Sequence, residues 1–598
     1  MTASTRDLRF AIHDVLDYEG HYGALFGEGT ASRELIDAIT DEAARFCEGE
    51  LAPVNQSGDE IGCTYSDGAV TTPPGFKEAY AKYVEGGWAG LSGDSNYGGQ
   101  GLPDSISLIM ENLMCGANAA WTMYPGLSRG VVEALEHHGS DEQKGQFLPK
   151  LLSGEWTGTM CLTEPHAGSD VGLARTRAEV RADGTYAISG TKIFISAGEH
   201  DMSENIIHLV LARTPDAPAG TKGISMFVVP KFNLDGSRNA VNCGGIEEKM
   251  GIHGSATCVL HFEEARGYLV GQENQGMRNM FTMMNAARLV VGLQANCQAE
   301  AALQRALEYA HDRLQMRSLS GPVAPEKEAD PIIVHPDVRR LLLTQRAIVD
   351  GGRVLVYFAG QIGDTAAAGE GQAKQDAQHL MDFLTPIVKG LLTELGFESV
   401  NHALQVFGGH GYIRENGMEQ LVRDTRITLV YEGTTAIQGL DLLGRKILQT
   451  QGPGLNLFVG LTKELAAELE SEASLAGYGR TLSAMADECG ELAMNLAGKA
   501  MEDLDEVGAG AVDFLFYSGY LTLAYCWGRI ALTAARGLDG SGPESGGSAE
   551  DADFLAGKLA AARFFFTRLL PRAAAHKAAI EAGAPTLMEA TAESFGPW

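Results

Sequence analysis

The chain has 598 residues, which is too long for one ordinary hydrophobic core, so several packed domains are expected. Hydrophobic residues make up 45% and charged residues 21%, a composition that is typical of globular proteins and argues against disorder. The formal net charge of −31 repels nucleic acid and anionic membranes, so neither is expected as a partner.

Cysteine and histidine patterns exclude several further classes of protein. The nine cysteines are scattered without a CxxC pair, which predicts reduced thiols and a cytoplasmic protein. The stretch MTASTRDLRFAIHDVLDYEG lacks the apolar core of a signal peptide, and no uncharged apolar run predicts a membrane span. The histidines show neither HExxH nor a zinc spacing, so no metal is predicted. GxxxxGK[ST] is absent, and no GxGxxG lies between a strand and a helix, so the common dinucleotide folds are not indicated.

The predicted elements change character three times along the chain. Up to residue 155, SRELIDAITDEAARFCEGEL and DSISLIMENLMCGANAAW space apolar residues three and four apart, as helices do. From 156 to 275, TYAISGTKIFIS, IIHLVLART, GISMFVVP and TCVLHFEE predict a small antiparallel β-domain, with a hairpin turn at Asp183-Gly184. Helical pattern returns over 276–450, broken by a Pro- and charge-rich loop at 320–331.

A further helical block over 451–598 contains a Gly/Ser-rich loop, LDGSGPESGGSAED. The fold class predicted from these patterns is mostly α with a central antiparallel β-domain and an extra C-terminal helical domain. The predicted domains are 1–155, 156–275, 276–450 and 451–598.

Four short stretches could carry chemistry. MCLTEPHAGSDVG (160–172) crowds hydroxyls and backbone amides around glycines, which suits phosphate or flavin atoms but equally an ordinary capped turn. In GTKIFISAG (190–198), the two-residue period of a strand predicts that Phe194 and Ser196 share a face. QVFGGHGYIRENGMEQLVRDTRI (405–427) is another glycine-rich loop. In TLVYEGTTAIQ (428–438), Glu432 is either a solvated glutamate at a helix start or a catalytic base in a dry pocket.

In this order and spacing, the four stretches resemble the flavin-dependent acyl-CoA dehydrogenase family over roughly residues 35 to 447. The resemblance implies a helix, β-domain and helix layout, FAD as cofactor, and Glu432 as the catalytic base. It implies cofactor contacts at Met160, Leu162, Thr163, Gly168, Ser169, Phe194, Ile195, Ser196, Arg313, Gln405, Gly408, Gly409 and Thr434. It implies substrate contacts at Ser169, Asn285, Arg288 and Gly433.

Within that set the resemblance assigns individual roles. Thr163 would contact the isoalloxazine ring, and Ser169 would lie by the pyrophosphate or the CoA moiety. Phe194 stands where the family has tryptophan, which keeps a stacking surface but loses the indole N–H. Two further family contacts are altered here: Met316-Arg317 replace the usual Phe-Gly after Arg313, and Asn285 replaces an aspartate.

The remaining cofactor residues would act at a subunit boundary and beside the base. Gln405, Gly408 and Gly409 would receive FAD from a neighbouring subunit, Arg313 would pair with FAD phosphates, and Thr434 would hold FAD beside Glu432.

The family reaction removes an α-proton from an acyl-CoA while a β-hydride passes to the flavin. Hydrogen bonds to the thioester oxygen stabilise the developing enolate charge, and a glycine at 433 lets the substrate approach closely. The extra C-terminal region resembles a long bacterial subgroup that includes the 3-methylmercaptopropionyl-CoA dehydrogenases of dimethylsulfoniopropionate degradation and relatives acting on fatty acyl-CoAs. The former substrate is expected over the latter. The resemblance also implies a homodimer and an electron-transferring flavoprotein as acceptor; an acyl-CoA oxidase and a catalytically idle binding protein remain alternatives.

Overall fold

The computed structural model describes residues 4–540 and 549–596, so most of the predicted Gly/Ser-rich loop LDGSGPESGGSAED lies outside the described residues. The chain divides into two compact units. We call residues 39–290 the β-unit, and residues 4–38 together with the described residues from 291 onward the helical unit.

The α-helices, in chain order, are α1 Thr5–Arg9, α2 Tyr18–Phe26, α3 Arg33–Phe46, α4 Asn55–Ile61, α5 Phe76–Glu85, α6 Asp104–Ala117, α7 Ala119–His138, α8 Asp141–Leu152, α9 Gly276–Asp312, α10 Pro336–Ala368, α11 Gly371–Phe407, α12 Met418–Arg426, α13 Thr435–Leu440, α14 Pro453–Ser471, α15 Ala476–Glu502, α16 Asp505–Leu538, α17 Ala549–Phe564, α18 Ala573–Ala582 and α19 Pro585–Met588. Their starts carry the expected signals: Ser140 and Gln143 form a capping box at α8, and Pro336 opens α10.

The strands are β1 Thr64–Ser66, β2 Ala69–Thr71, β3 Trp156–Cys161, β4 Arg177–Val180, β5 Tyr186–Ser196, β6 Asn205–Ala212, β7 Ser225–Pro230, β8 Val241–Ile246 and β9 Thr257–Val270. β1 and β2 form a small hairpin, and the other seven form one sheet in the order β3-β6-β7-β9-β5-β4, with β8 also paired to β9. The predicted turn at Asp183-Gly184 is confirmed, because β4 and β5 pair in antiparallel fashion around it and Gly184 has φ +82°.

One strand pair departs from the predicted antiparallel β-domain. β3 and β6 are parallel, with Trp156 opposite Asn205 and Cys161 opposite Val210. The β4–β5 hairpin lies between them in the chain, and this long connection carries the backbone to the end of the sheet where a parallel strand must begin. The sheet is therefore mixed.

The core of the β-unit forms where helices α7 and α8 cover the β6–β7 side of the sheet. Leu135 and Phe147 come from the helices, Leu209 and Val228 from the strands, and Met280 from α9; all five are fully buried. The two-residue period of the strands and the three-to-four-residue period of the helices place these side chains on facing surfaces. This packing supports the β3 end, from which the 160–172 stretch departs.

α16 is the central helix of the predicted extra domain in the helical unit. Its buried Trp527 donates from Nε1 to the carbonyl of Ala347 on α10 at 2.9 Å. By length and composition this helix alone among the described residues could cross a membrane, but 67% of its most apolar window is buried inside the protein, as in a core helix. The predicted fold class is confirmed: mostly α, with a central β-domain and a C-terminal helical domain.

A buried ion network joins α1 to the far end of the chain within the helical unit. The ammonium of Lys558 on α17 bonds to Asp7 and lies 2.7 Å from Asp350. The fully buried Arg353 bonds Glu300 at 2.5 Å and Asp350 at 3.1 Å. Burial acts to raise the pKa of Asp7, but the neighbouring cations outweigh it and hold that pKa well below its usual range.

Candidate active site

The 160–172 stretch leaves β3 and folds into a tight turn in the β-unit. Glu164 and Ala167 exchange two backbone hydrogen bonds of 3.0 Å each. The carbonyl of Thr163 accepts a 3.0 Å bond from the backbone N–H of Ile193, so this turn lies directly beside β5. Thr163 and the residues 194–196 are thereby brought together, as their predicted shared function requires.

A buried ion pair fixes this turn against β5. The ammonium of Lys192 is fully buried and donates to Glu164 at 2.8 Å and to the carbonyl of Leu162 at 3.1 Å. Glu164 also accepts from the backbone N–H groups of Arg175 and Thr176. Burial acts to raise the pKa of Glu164, but the Lys192 charge and the hydrogen bonds lower it to about 2. Burial lowers the pKa of Lys192, and the charge of Glu164 opposes that effect.

β5 becomes irregular where it presents the predicted flavin-facing residues. A bulge falls between Lys192 and Ile195, and Phe194 has φ +59° in the left-handed region. The strict alternation behind the predicted shared face of Phe194 and Ser196 is therefore interrupted. The bulge leaves the Phe194 ring 59% exposed, although aromatic rings are normally covered, while Ile195 is buried and pairs with Cys258.

The other predicted residues of the turn divide into a buried and an exposed group. Met160 and Leu162 are half-buried and pack against the core of the β-unit. Gly168 and Ser169 are exposed, and the next turn is closed by Asp170, which accepts from the N–H of Gly172 at 3.1 Å. Hydroxyls and an exposed ring on a rigid turn match the polar edge and apolar face of a flavin ring.

Glu432 lies in a short loop of the helical unit, between α12 and α13. It is half-buried and has φ +54°, and Gly433 follows with φ +93°. A left-handed backbone costs a residue other than glycine about 1–2 kcal/mol, so such a conformation persists only where its surroundings hold it. It is not the helical conformation of a helix-start glutamate.

Side chains from neighbouring helices hold this loop. Gln438 donates from its amide to the carbonyls of Glu432 at 3.0 Å and Gly433 at 3.3 Å. Lys389 on α11 is fully buried and donates to the same Gly433 carbonyl at 2.5 Å. Tyr431, just before Glu432, donates to Gln294 on α9 at 2.5 Å.

The predicted FAD-phosphate and subunit-boundary residues come together elsewhere in the helical unit. Arg313 is exposed directly after α9, and Gln405, Gly408 and Gly409 are exposed at the end of α11. The rings of Tyr309 and Phe407 stack with centroids 4.1 Å apart, which places these two helix ends side by side.

The altered residues after Arg313 take structural positions. Arg317 pairs with Asp330 at 3.1 Å, and Met316 is exposed with φ +62°. Asn285 and Arg288 lie on the part of α9 that belongs to the β-unit, half-buried and buried respectively. Thr434 is half-buried at the N-cap of α13.

Four family models match the chain. They describe the acyl-CoA dehydrogenase N-terminal domain over 34–155, the middle domain over 159–265 and the C-terminal domain over 274–448, and an acetyl-CoA dehydrogenase C-terminal-like domain over 461–591. The chain belongs to the acyl-CoA dehydrogenase family. It is an FAD-dependent oxidoreductase of that family.

Relatives within the acyl-CoA dehydrogenase family match almost end to end. The chain is 41% identical to a 3-methylmercaptopropionyl-CoA dehydrogenase of Ruegeria pomeroyi, over 98% of this chain and 99% of the relative. It is 34% identical to the broad-specificity linear acyl-CoA dehydrogenase FadE5 of Mycobacterium tuberculosis, over 99% of each. An acyl-CoA dehydrogenase structure from Bacillus anthracis shares the fold, with a TM-score of 0.73 and 22% identity over 92% of this chain and 88% of that one.

Four residues that hold the 160–172 turn and the Glu432 loop were not singled out from the sequence: Glu164, Lys192, Lys389 and Gln438. Two of them carried a signal. Lys192 interrupts the apolar strand GTKIFIS, and Lys389 interrupts the apolar helix PIVKGLL; a lone lysine at a buried position needs a hydrogen-bond acceptor, which points to a structural partner.

Proposed function

We propose that this acyl-CoA dehydrogenase oxidises 3-methylmercaptopropionyl-CoA to methylthioacryloyl-CoA in dimethylsulfoniopropionate degradation. The observation that carries the substrate is the full-length match, at 41% identity, to the Ruegeria pomeroyi enzyme named for it. The similarly complete match at 34% to FadE5 keeps linear fatty acyl-CoAs as the second candidate.

Glu432 is the catalytic base of this proposal. Its carboxylate takes the α-proton, and the C–H electron pair moves toward the thioester carbonyl as an enolate. At the left-handed Glu432–Gly433 turn the backbone departs from helix geometry. In the family, the backbone N–H of the base donates to the thioester oxygen, and a turn of this kind is compatible with that role. Gly433 has no Cβ that would collide with Gln438 and Ile437, so the turn that carries the base can form.

Side chains of three kinds are proposed to hold FAD. Thr163, Ser169, Phe194 and Ser196 of the β-unit offer hydroxyls and an exposed ring of the kind that an isoalloxazine takes. Arg313 of the helical unit offers an exposed guanidinium for a phosphate. When bound, FAD supplies the hydride acceptor. Further contacts are proposed at Met160, Leu162, Gly168, Ile195 and Thr434, and substrate contacts at Ser169, Asn285, Arg288 and Gly433.

The assembly and partners are proposed on the same basis. The exposure of Gln405, Gly408 and Gly409, where an added Cβ on either glycine meets nothing within 4 Å, supports a homodimer in which this surface receives FAD from the neighbouring subunit. We propose an electron-transferring flavoprotein as acceptor and a cytoplasmic location. The four family models support the proposed division at 1–155, 156–275, 276–450 and 451–598.

The substrate is tested by anaerobic bleaching of the flavin absorbance in the purified enzyme. The panel is 3-methylmercaptopropionyl-CoA, butyryl-CoA and octanoyl-CoA. We expect the sulfur substrate to bleach the flavin fastest; a clear preference for octanoyl-CoA would make the enzyme a fatty acyl-CoA dehydrogenase. Hydrogen peroxide formed stoichiometrically in air would instead identify an acyl-CoA oxidase.

The base is tested by Glu432→Gln. This variant keeps the size of the side chain but removes the proton acceptor, so we expect turnover to fall at least about 1,000-fold while FAD remains bound. The paired measurements are kcat and the flavin content of the purified variant. Turnover near the wild-type rate refutes the assignment.

A further inference from the structure

The loop that carries Glu432 is held from behind by two buried side chains. The left-handed backbone at Glu432 and Gly433 leaves two consecutive carbonyls pointing at α11 and α13 rather than along a helix. Gln438 bonds to both carbonyls, and Lys389 bonds to the second. Two donors on two different helices thus converge on one dipeptide.

Lys389 is an unexpected residue at its position in a helix core. It lies in the middle of α11 with no exposed surface, and Ile387, Val388 and Leu391 around it are fully buried. A buried ammonium is costly unless it is hydrogen-bonded, so an apolar residue would serve helix packing better. The carbonyl of Gly433 supplies a hydrogen-bond acceptor for this buried ammonium.

The C-terminal helical domain keeps this arrangement rigid. A Cβ on Gly390 would lie 2.8 Å from a methyl carbon of Leu515 on α16, and one on Gly439 would lie 2.8 Å from the carbonyl oxygen of Ala511. α11 and α13 therefore both touch α16 through glycines, directly beside Lys389 and Gln438. The two donors cannot shift without moving a packed helix.

We propose that Lys389 and Gln438 are positioning residues that hold Glu432 in its left-handed conformation through the carbonyls of Glu432 and Gly433, and so set the rate of α-proton removal. This inference rests on the proposed role of Glu432 as the base. Through these carbonyls, each side chain fixes the direction in which the carboxylate of Glu432 is presented. A displacement of about 1 Å at a reacting group is enough to cost about 100-fold in rate.

The test isolates proton removal from hydride transfer. Methylthioacetyl-CoA has sulfur at its β-position and so has no β-hydride to give, yet its α-protons can still be removed. In D2O, the base breaks the α-C–H bond, the carboxyl exchanges its proton with solvent, and return of deuterium labels the acyl group. Mass spectrometry of the acyl-CoA then gives the rate at which the holoenzyme exchanges its α-protons for deuterium.

The variants are Lys389→Met, Gln438→Met and a matched control, Lys446→Met. Lys446 follows Glu432 in the chain and pairs with Asp382, which lies on the same helix α11, at 2.7 Å. It does not touch the loop that carries Glu432. We expect Lys389→Met to slow α-proton exchange about 100-fold while its flavin content is unchanged. Its KM for 3-methylmercaptopropionyl-CoA should stay within about threefold of the wild-type value. Lys446→Met should exchange at the wild-type rate.

The outcomes separate this inference from the proposed function. Exchange at the wild-type rate in folded Lys389→Met and Gln438→Met overturns the positioning role, and so does an equal loss in Lys446→Met. If Lys389→Met does not fold, Gln438→Met alone decides, since Gln438 contacts both carbonyls. If Glu432→Gln exchanges the α-protons at the wild-type rate, Glu432 is not the base, and the proposed function fails whatever the other variants do.

Discussion

At the scale of single residues, Gly433 is a position where the backbone leaves little room for any side chain. Its φ of +93° is unfavourable for any side chain, and a Cβ would lie 2.8 Å from the amide nitrogen of Gln438. We expect Gly433→Ala to reduce kcat by at least about 10-fold through displacement of Glu432. Steady-state kinetics measure this effect.

Gly460→Ala in α14 is the control for that variant, because a Cβ there meets nothing within 4 Å in the same unit. It should raise the melting temperature slightly, through a gain of about 0.5–1 kcal/mol in helix propensity, and leave kcat unchanged. Normal kinetics in Gly433→Ala contradict the strain argument.

A second residue-scale prediction concerns Glu111, which is 5% exposed on α6 and has a buried oxygen without a hydrogen-bond partner among the described residues. Burial raises its pKa from 4.5 to about 7, although Arg129 opposes the rise. An acid with a raised folded-state pKa stabilises the fold below pH 4.5 and loses that contribution as the pH rises to about 7.

Glu111→Gln, which cannot ionise, should therefore be more stable than the wild type at pH 8, by up to roughly 3 kcal/mol, and nearly equal to it at pH 4.5. Melting temperatures across this range test the prediction. Glu142→Gln changes an exposed glutamate of α8 and should leave the dependence of melting temperature on pH unaltered. If the curve of Glu111→Gln runs parallel to that of the wild type, burial of Glu111 is not the cause of the pH dependence.

At the scale of elements, the turn at 160–172 depends on the ion pair between Lys192 and Glu164, which joins it to β5. We expect Lys192→Met to leave Glu164 as a buried, unbalanced carboxylate, which loosens the turn around Thr163 and weakens FAD retention about 10-fold or more. Fluorescence of FAD released on dilution measures the effect. The exposed pair Lys150–Glu155 provides the control, since Lys150→Met removes a surface ion pair of little energetic value.

The elements also show how far the sequence alone could predict this molecule. β5, β6, β7 and β9 were predicted because β-branched runs are bounded by glycine or proline, whereas β8 (VNCGGI) was not, because its paired glycines have low strand propensity. The parallel pairing of β3 was not predicted, because pairing direction depends on contacts between distant segments.

The residues of the candidate site likewise divide into those that the sequence predicts and those that it does not. The residues proposed to touch FAD or substrate lie inside short motifs and could be found by resemblance. Their supports could not be found that way, since Lys192 meets Glu164 across 28 positions and Lys389 meets Gly433 across 44. The bulge at Phe194 also has no signal in the amino-acid order, because it depends on how β5 pairs with β9.

At the scale of the whole molecule, the extra C-terminal region is part of the helical unit's core. Lys558→Met should remove one of the two cations that Asp7 and Asp350 share, the other being Arg346, at a cost of roughly 3–5 kcal/mol. Urea unfolding followed by circular dichroism tests this value. Lys577→Met, which removes a half-exposed pair with Glu488, should change the unfolding free energy by less than about 1 kcal/mol. Equal losses in the two variants contradict the argument.

The bond between Lys558 and Asp7 also has a consequence in time. Lys558 follows Asp7 in the chain by 551 positions. At a synthesis rate of about 5–20 residues per second, roughly half a minute to two minutes separate the synthesis of these two residues, and Arg346, which also pairs with Asp7, is made between them. The complete ion network around Asp7 can therefore form only after α17 has been synthesised, which makes its assembly a late step in the folding of the helical unit.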